Sequence, residues 1–504
     1  MRANLFLILI AVAGNTALGQ LIQLGPERQL FVDDSLIESI SGARRVMNPA
    51  VKVKHNPVIS PEHPWEGKDV RVSHVFRDEK TGAFKMIYSG YTFRATQGEK
   101  EIIVDGEGQP VSCLATSKDG IYWEKPVLNL VEFNGSKANN LIPKKQVMPY
   151  MFRDSNETDP SKLYKGLIRH GSTDTTMQFD LYFSPDGLNW TAYDDNPVID
   201  TSPRIGRWGP TEFVGWDPIR KTYAAHLENC LHQRCSLDRR LIGRLESPDM
   251  VHWGVPETII VPDEKDYPDT EFYNMPAITY QGVYVGLLWN FRTTDTTILP
   301  QIVFSRDGIH YNREFREPFI RRGDNGDFDS SVVYPDQPVV VDGRMFSYYT
   351  GANWRSPEHL LELGDEAIGA VGLAISRQDG FVSVNGAKGA MKLNRLGTSK
   401  ASAGTFSQLT TRSFSFSGSR LHLNVKSALR QWGAGPCEVR IEILGPDHQF
   451  MKGYGFEESD PMTTGGLSKV ASWKGSSDLS KLEGKPVKLR FYFKNAKLYS
   501  FVFK

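Results

Sequence analysis

The chain has few cysteines, no excess charge of either sign and no long apolar segment. Only four cysteines occur among 504 residues, and Lys plus Arg equal Asp plus Glu at 59 each. This balance gives no support for a nucleic-acid or acidic-membrane partner. No segment reaches the roughly 18 uncharged apolar residues of a membrane helix. We therefore expect no membrane span and no nucleic-acid partner, while the oligomeric state stays open.

The cysteines form no standard metal-binding pattern. Cys230 and Cys235 lie in one predicted loop and could form a small disulfide in an oxidising compartment. His226 and His232 are close in sequence, but the spacing of the four residues matches no common zinc site. A surface loop with an optional disulfide is the simpler interpretation. We predict no metal ion and no cofactor.

The N-terminal residues resemble a secretory signal. Arg2 supplies a positive charge, and the apolar run Leu5–Ala13 is too short to span a bilayer. Small residues at Ala17 and Gly19 offer a cleavage site before Gln20. A buried N-terminal strand is the alternative. The pattern predicts a signal peptide at residues 1–19 and a secreted or periplasmic mature protein.

A short phrase of the type Ser-x-Asp-Gly-x-x-Trp recurs along the chain. The copies are Ser117–Trp123, Ser184–Trp190, Ser247–Trp253, Ser305–Tyr311 and a degraded fifth, Ser376–Phe381. A repeat at intervals of 58 to 70 residues (aromatic positions 123, 190, 253, 311 and 381) indicates an array of similar supersecondary units. Asp-Gly between apolar runs is typical of a hairpin turn. We therefore assign the aspartates of the phrase to turns rather than to chemistry.

Each repeat contains about four predicted strands. Apolar and polar residues alternate with a period of two, as in Phe84–Tyr88, and no long helical period occurs. The pattern predicts an all-β fold, a five-bladed β-propeller followed by a C-terminal β-sandwich. A solenoid is the alternative, although its strands repeat at shorter intervals. The predicted bounds are 20–50 for a lead-in strand, 51–385 for the propeller and 386–504 for the sandwich. Residues 28–38 would close the ring or pack on its outside.

Acidic residues recur at the start of the first strand in four of the five repeats. They are Glu66 and Asp69, Glu212, Asp269 and Glu271, and Asp327 and Asp329. The second repeat has Met148-Pro149-Tyr150 at this place. Because a propeller brings its innermost strands to one funnel, we expect these acids to meet there. Each acid could instead cap a loop or pair with an arginine such as Arg71, Arg204 or Arg207.

Several carboxylates around one pocket suit the cleavage of glycosidic bonds. One acid must be protonated to donate to the leaving oxygen, and another must be ionised to activate water or attack the sugar carbon. Burial and proximity separate the two pKa values. Trp65, Trp208, Tyr273 and Trp354 could stack on sugar faces. We predict an exported glycosidase for a poly- or oligosaccharide; the alternatives are a non-catalytic carbohydrate-binding propeller and a phosphorylase or transglycosylase.

The repeated phrase, the signal sequence and the trailing strands resemble the five-bladed β-propeller glycoside hydrolases, which include families 32, 43, 68 and 117. The domain order is most similar to family 32. The resemblance implies that Asp69 is the base or nucleophile, that Glu212 tunes a pKa or holds substrate, and that Glu271 is the general acid. The other candidate substrate-binding residues are Glu66, Arg71, Asp269, Tyr273, Asn274, Asp329 and Trp354.

The sequence departs from these families in its motifs. The Asn-Asp-Pro-Asn, Arg-Asp-Pro and Glu-Cys motifs of family 32 are absent, as is the Asp-Pro start of family 43 in the first blade. Fructan specificity is therefore not implied.

Overall fold

The computed structural model describes thirteen segments of the chain: residues 21–78, 81–91, 96–97, 100–101, 111–143, 150–172, 177–200, 211–230, 239–386, 391–393, 399–401, 406–427 and 437–504. Several predictions fall outside these segments. They concern residues 1–19, Met148, Pro149, Arg204, Arg207, Trp208, His232 and Cys235. The Cys230–Cys235 disulfide therefore stays a prediction.

The described chain is almost entirely β, which confirms the all-β class. Its one α-helix is Pro357–Leu363, and its 3-10 helices are Pro64–Glu66, Pro160–Lys162, Gly364–Glu366 and Ser480–Leu482. None of the helices in the described segments is long and apolar enough to cross a membrane. The chain divides into two compact units, a larger one of residues 30–33 and 45–383 and a smaller one of residues 1–29, 34–44 and 384–504.

The larger unit contains five successive groups of antiparallel strands. The first group is Asp69–Arg77, Phe84–Tyr91, Val111–Ser117, Trp123–Glu124 and Leu141–Ile142. The second is Tyr150–Arg153, Tyr164–Ser172, Met177–Ser184, Thr191–Ala192 and Ile199–Asp200. The third is Thr211–Asp217, Thr222–Cys230, Arg240–Ser247 and Glu257–Ile260. A separate small hairpin joins Thr96–Gln97 to Lys100–Glu101.

The last two groups complete the larger unit. The fourth is Thr270–Phe272, Ala277–Tyr280, Val283–Arg292, Thr297–Ser305 and Tyr311–Asn312. The fifth is Val332–Pro335, Val339–Val341, Arg344–Ala352, Gly369–Arg377 and the early strand Val51–Lys52.

The first and fifth groups are in direct contact. Gly369 forms a parallel bridge with Asp69, and the rings of Phe84 and Phe346 stack with centroids 6.3 Å apart. Val51–Lys52, at the start of the larger unit, pairs with the last long strand of the fifth group. The two ends of this chain segment are therefore held together by backbone pairing and by apolar packing.

The repeated phrase forms the hairpin turns predicted from the sequence. In the first copy, Ser117 Oγ accepts a hydrogen bond of 2.9 Å from the Gly120 N–H, and Asp119 Oδ1 accepts one of 2.8 Å from the Ile121 N–H. The aspartates of the other full copies accept the same bonds from the following backbone. Gly120 has a φ of 76°, and Met250 takes this position in the third copy with a φ of 70°. These aspartates serve the turns, as predicted.

Buried tyrosine hydroxyls join neighbouring groups. Tyr223 of the third group donates a 2.7 Å hydrogen bond to Asp154 of the second, and Tyr284 of the fourth donates a 2.5 Å bond to Asp217 of the third. Arg244 also binds Asp217. Each buried carboxylate therefore receives donors from two groups, which fixes the contact between them.

The smaller unit contains two antiparallel sheets. One sheet has the order Ile37–Ser41, Ser407–Thr411, Lys488–Lys494, Glu438–Leu444, and the other includes Gly466–Val470, Leu421–Ser427, Ala496–Phe503. Phe491 of the first sheet contacts Phe501 of the second, with ring centroids 5.9 Å apart. Ile37–Ser41 thus places part of the segment 28–38 in the smaller unit. The remaining strands are Ile22–Gln23, Gln29–Leu30, Ala43–Met47, Val382–Gly386, Met391–Leu393, Ser399–Ala401 and Phe414–Ser415.

Candidate active site

A cavity of about 280 Å³ lies among the inner strands of the larger unit. Residues of the first, third, fourth and fifth groups line it: Arg71, Val72, Ser73, Glu212, Tyr273, Asn274, Trp289, Tyr334, Pro335, Asp336 and Thr350. The cavity brings together four of the residues that the sequence singled out, namely Arg71, Glu212, Tyr273 and Asn274. It also adds residues that the sequence did not indicate.

Glu212 is the second residue of the first strand of the third group. It lies opposite His226 in the antiparallel ladder, and its Oε1 atom accepts a 3.0 Å hydrogen bond from Asn274 Nδ2. Burial, and after it the neighbouring Asp336, raise the pKa of Glu212 to about 8, against the lowering effect of the Asn274 bond. A carboxyl in this state holds its proton at neutral pH.

Asp336 directly follows the strand Val332–Pro335 and also lines the cavity. Its N–H donates to Tyr348 O at 2.9 Å, and its Oδ1 accepts from the Gln337 N–H at 2.8 Å. Burial raises the pKa of Asp336 to about 7. The charge of Asp336 raises the pKa of Glu212, so the two carboxyls titrate as a coupled pair.

Asp336 was not predicted from the sequence, because the candidate acids were those at strand starts and Asp336 follows its strand. The available signal was a lone charged residue within the apolar run 331–341. Burying a carboxyl is costly, so an acid in such a run indicates a specific role.

Asp69 lies behind Arg71 rather than on the cavity wall. Its side chain is fully buried, and Oδ2 accepts a 2.7 Å bond from Arg71 Nε. Its Oδ1 accepts no hydrogen bond from the described residues, and burial raises its pKa despite Arg71. The Arg71 guanidinium lies 4.4 Å from the ring centroid of Tyr91 and 5.7 Å from that of Trp354. Asp69 and the two rings thereby fix the orientation of Arg71 in the cavity.

Three aromatic side chains form a further part of the wall. Trp289 Nε1 donates to Pro335 O at 3.2 Å, and its ring centroid is 4.9 Å from that of Tyr334. Tyr273 packs edge-on against Phe291 at 5.5 Å. These contacts hold the rings in place before any ligand arrives. Trp289 and Tyr334 were not predicted from the sequence.

Asn274 reaches Glu212 because the fourth group is interrupted at this point. The segment between the strands Thr270–Phe272 and Ala277–Tyr280 contains Pro276, which has no N–H to donate to a ladder. Trp289 N–H still bonds Asn274 O at 2.8 Å. The irregular backbone turns the Asn274 side chain toward the cavity, as such interruptions of a ladder commonly do.

Two predicted acids are instead held by arginines of the same unit. Glu271 Oε2 accepts a 2.5 Å bond from Arg240, and Asp269 accepts a 2.7 Å bond from Arg292. Asp269 also accepts a bond from the Thr294 N–H, in the turn after the strand Val283–Arg292. Neither acid is part of the cavity wall.

Two further predicted residues are saturated by structural partners. Glu66 is fully buried and accepts bonds from Tyr88 at 2.5 Å and from Lys125 at 2.9 Å. Asp329 is buried between Lys52 at 2.5 Å and Tyr349 at 2.7 Å, which links it to the strand Val51–Lys52. Neither acid lines the cavity.

Within the described segments, no three His, Cys, Asp or Glu side chains form a group that could hold a metal ion.

Comparisons with other proteins give only structural similarities. No protein-family model matches the chain, and no curated protein sequence matches it. A putative glycoside hydrolase from Parabacteroides distasonis shows 15% identity and a TM-score of 0.41 over 67% of this chain and 97% of that one. A family 43 arabinoxylan arabinofuranohydrolase from Bacillus subtilis shows 12% identity and a TM-score of 0.38, over 89% of this chain and 97% of that one. A β-1,2-mannobiose phosphorylase from Listeria innocua shows 12% identity and a TM-score of 0.41, over 66% of this chain and 97% of that one. Two of these three similar structures are thus named as glycoside hydrolases and the third as a phosphorylase.

Proposed function

We propose that the chain is a carbohydrate-active enzyme that cleaves a glycosidic bond by hydrolysis. One observation carries the proposal: Glu212 and Asp336, two carboxyls with raised pKa values, line one aromatic-walled cavity. Perturbed titratable groups in a cavity are the usual signature of acid–base catalysis. A pair of carboxyls that shares one proton supplies both the acid and the base that hydrolysis needs.

The two carboxyls have different roles in this proposal. Glu212 keeps its proton and donates it to the leaving oxygen, because burial and the charge of Asp336 disfavour its ionised form. Asp336 is ionised and activates water or attacks the sugar carbon. Asp69, the base or nucleophile in the sequence-based hypothesis, instead orients Arg71. Glu271, the general acid of that hypothesis, is paired with Arg240 and does not line the cavity.

The substrate that fits the cavity is one uncharged sugar residue. The cavity's volume of about 280 Å³ is near the lower end of the range of roughly 300–1,000 Å³ that is usual for small-molecule sites. Asp69 offsets the charge of Arg71, and the carboxyl pair adds one negative charge, so an anionic sugar gains nothing there. Tyr273, Trp289 and Tyr334 offer ring faces. We infer that the cavity binds a sugar residue of a poly- or oligosaccharide.

The proposal extends to the fold and to export. We propose that the five strand groups are the blades of a five-bladed β-propeller and that the smaller unit is a β-sandwich. Two contacts support this. Gly369 and Asp69 join the fifth group to the first, and Phe491 and Phe501 pack between the two sheets of the smaller unit.

We also propose export, because residues 1–19 have the composition of a signal peptide. N-terminal sequencing of the mature protein should then begin at Gln20.

A phosphorylase is the second candidate, since Arg71 is a cation in the cavity wall. Phosphate would need a cationic site, but the Arg71 guanidinium is already bound by Asp69. Hydrolysis is therefore the better-supported reaction. A non-catalytic sugar-binding protein would have no use for two carboxyls with raised pKa values.

The test compares matched acid-to-amide variants on a panel of oligosaccharides and aryl glycosides. Glu212→Gln and Asp336→Asn should each lower kcat by about 10²–10⁴-fold. Glu271→Gln removes a carboxylate outside the cavity and should retain wild-type kcat. Full activity of Glu212→Gln and Asp336→Asn would refute the site. Turnover that requires phosphate would support the phosphorylase, and sugar binding without product would support the binding protein.

A further inference from the structure

His226 is a buried imidazole that the catalytic proposal does not use. It has no exposed surface, and it faces Glu212 across the ladder between Thr211–Asp217 and Thr222–Cys230. Its Nδ1 atom lies 3.0 Å from Met275 O. A carbonyl oxygen can only accept, so Nδ1 carries the proton of the neutral ring. The Nε2 atom has no hydrogen-bond partner among the described residues.

The surroundings of His226 keep it neutral. The charged and titratable groups around it are Glu212 across the ladder, Arg244, Asp217 and Tyr311, whose ring centroid is 6.1 Å away. Burial, and then Arg244, lower the pKa of His226 to about 3, against the smaller raising effects of the Met275 hydrogen bond and of Asp217. The imidazole therefore presents a single N–H at fixed geometry throughout the neutral pH range, which suits a structural donor rather than a proton carrier.

A chain of three hydrogen bonds connects this N–H to Glu212. The Met275 backbone accepts from His226 and donates its own N–H to Asn274 Oδ1 at 2.8 Å. Because Oδ1 accepts that N–H, the amide orientation of Asn274 is determined, and Nδ2 is the atom that faces Glu212 Oε1 at 3.0 Å. Each link fixes the next one.

We propose that His226 is a positioning residue for Glu212: its Nδ1–H holds the backbone at Met275, and this backbone aims the Asn274 amide at the Glu212 carboxyl. The inference rests on the proposed function only for the statement that Glu212 is catalytic. In this arrangement His226, which lies outside the cavity, sets the ionisation of Glu212 inside it.

The consequence for Glu212 has a definite sign. A donor to Oε1 favours the ionised carboxyl, so the Asn274 bond lowers the pKa of Glu212. Without a donor at the Nδ1 position of His226, the Asn274 amide is no longer held in place to donate to Glu212. The pKa of Glu212 then rises. Asp336 and Arg71, the other charged groups of the cavity, are unchanged by this substitution.

The test uses two amides that differ in reach. In His226→Asn the amide nitrogen takes the place of Nδ1, whereas in His226→Gln it takes the place of Nε2. We expect His226→Asn to retain the wild-type titration of Glu212. We expect His226→Gln to raise the pH at which Glu212 ionises by about one unit, a tenfold change in its acid constant. Asn274→Ala should give the same rise, and His226→Gln should add nothing to it.

The readout is independent of turnover. Infrared difference spectra report the protonated carboxyl of Glu212, assigned by its loss in Glu212→Gln, and the alkaline limb of kcat/KM is measured beside them. Should His226→Gln fail to fold, His226→Leu fills similar space without a donor and carries the same test. An unshifted titration in the donor-less variant would overturn the inference, as would equal shifts in His226→Asn and His226→Gln. A shifted infrared titration in a protein without hydrolytic activity would refute the proposed function alone.

Discussion

Glu212 and Asp336 face one cavity from the third and fifth strand groups, and burial raises the pKa of both carboxyls. The two residues lie far apart in the sequence, and no sequence pattern links them. Their shared cavity makes the protonation of one depend on the charge of the other, and this dependence gives the predictions on pH.

Activity should have a bell-shaped pH profile centred near neutrality. Below the optimum Asp336 gains a proton and loses its role as base, and above it Glu212 loses the proton that it must donate. Because both pKa values are raised, the limbs of kcat/KM should fall well above the ordinary carboxyl range of about 4. The measurement is kcat/KM against pH for the wild type. An acid limb and an alkaline limb both below about pH 5 would contradict the raised pKa values.

Stability should fall as the pH rises through the neutral range. The pKa values of Glu212 and Asp336 are higher in the folded chain than in the unfolded chain. Their contribution is therefore fully present below the ordinary carboxyl range and is lost as the pH passes the folded values. We expect the free energy of unfolding to fall by about 1.4 kcal/mol per pH unit for each carboxyl, between the ordinary carboxyl range and the folded pKa values.

Urea denaturation at several pH values measures this loss. Glu212→Gln and Asp336→Asn should flatten the curve, because the amides do not ionise. Glu271→Gln is the control and should keep the wild-type slope. A slope that is equal in all four proteins would mean that other groups are responsible.

Removal of Arg71 should destabilise the chain through Asp69. Arg71→Met leaves the fully buried Asp69 carboxylate without its partner, which typically costs about 3–5 kcal/mol. Arg71→Met with Asp69→Asn removes the uncompensated charge and should recover much of the loss. Chemical denaturation of the single and double variants gives the coupling energy. Additive losses would show that the pair is not coupled.

Gly369 should not tolerate a side chain. A Cβ on Gly369 would lie 1.7 Å from Asp69 Oδ1, so Gly369→Ala must displace a buried carboxylate. We expect a loss of about 1–3 kcal/mol or more from overpacking, together with lower activity through the displaced Arg71. The matched control is Gly254→Ala, where the nearest atom, Glu246 O, is 3.5 Å away. Thermal unfolding of both variants checks this, and equal Tm values would contradict it.

The sequence anticipated local features best. Hairpin turns follow from Ser-x-Asp-Gly chemistry, and strands follow from period-two alternation, as in Phe84–Tyr91, because both depend on neighbouring residues. Reading the strand starts also located Glu212, and the fourth repeat supplied Tyr273 and Asn274. The five-bladed arrangement remains a prediction from the same periodicity.

The partners of each acid could not be predicted from the sequence. Asp69, Asp269 and Glu271 look like Glu212 along the chain, yet each of the three is bound by an arginine. Asp336 was overlooked because it follows its strand rather than beginning it.

The sequence alone therefore determined the all-β class, the repeat and the turns, since these depend on residues a few positions apart. Only the tertiary structure decided which carboxyls share a cavity and which are offset by arginines. The reason is physical: the pKa of a carboxyl depends on burial and on charges brought close by folding, and residues such as Glu212 and Asp336 acquire those surroundings only when distant strands meet.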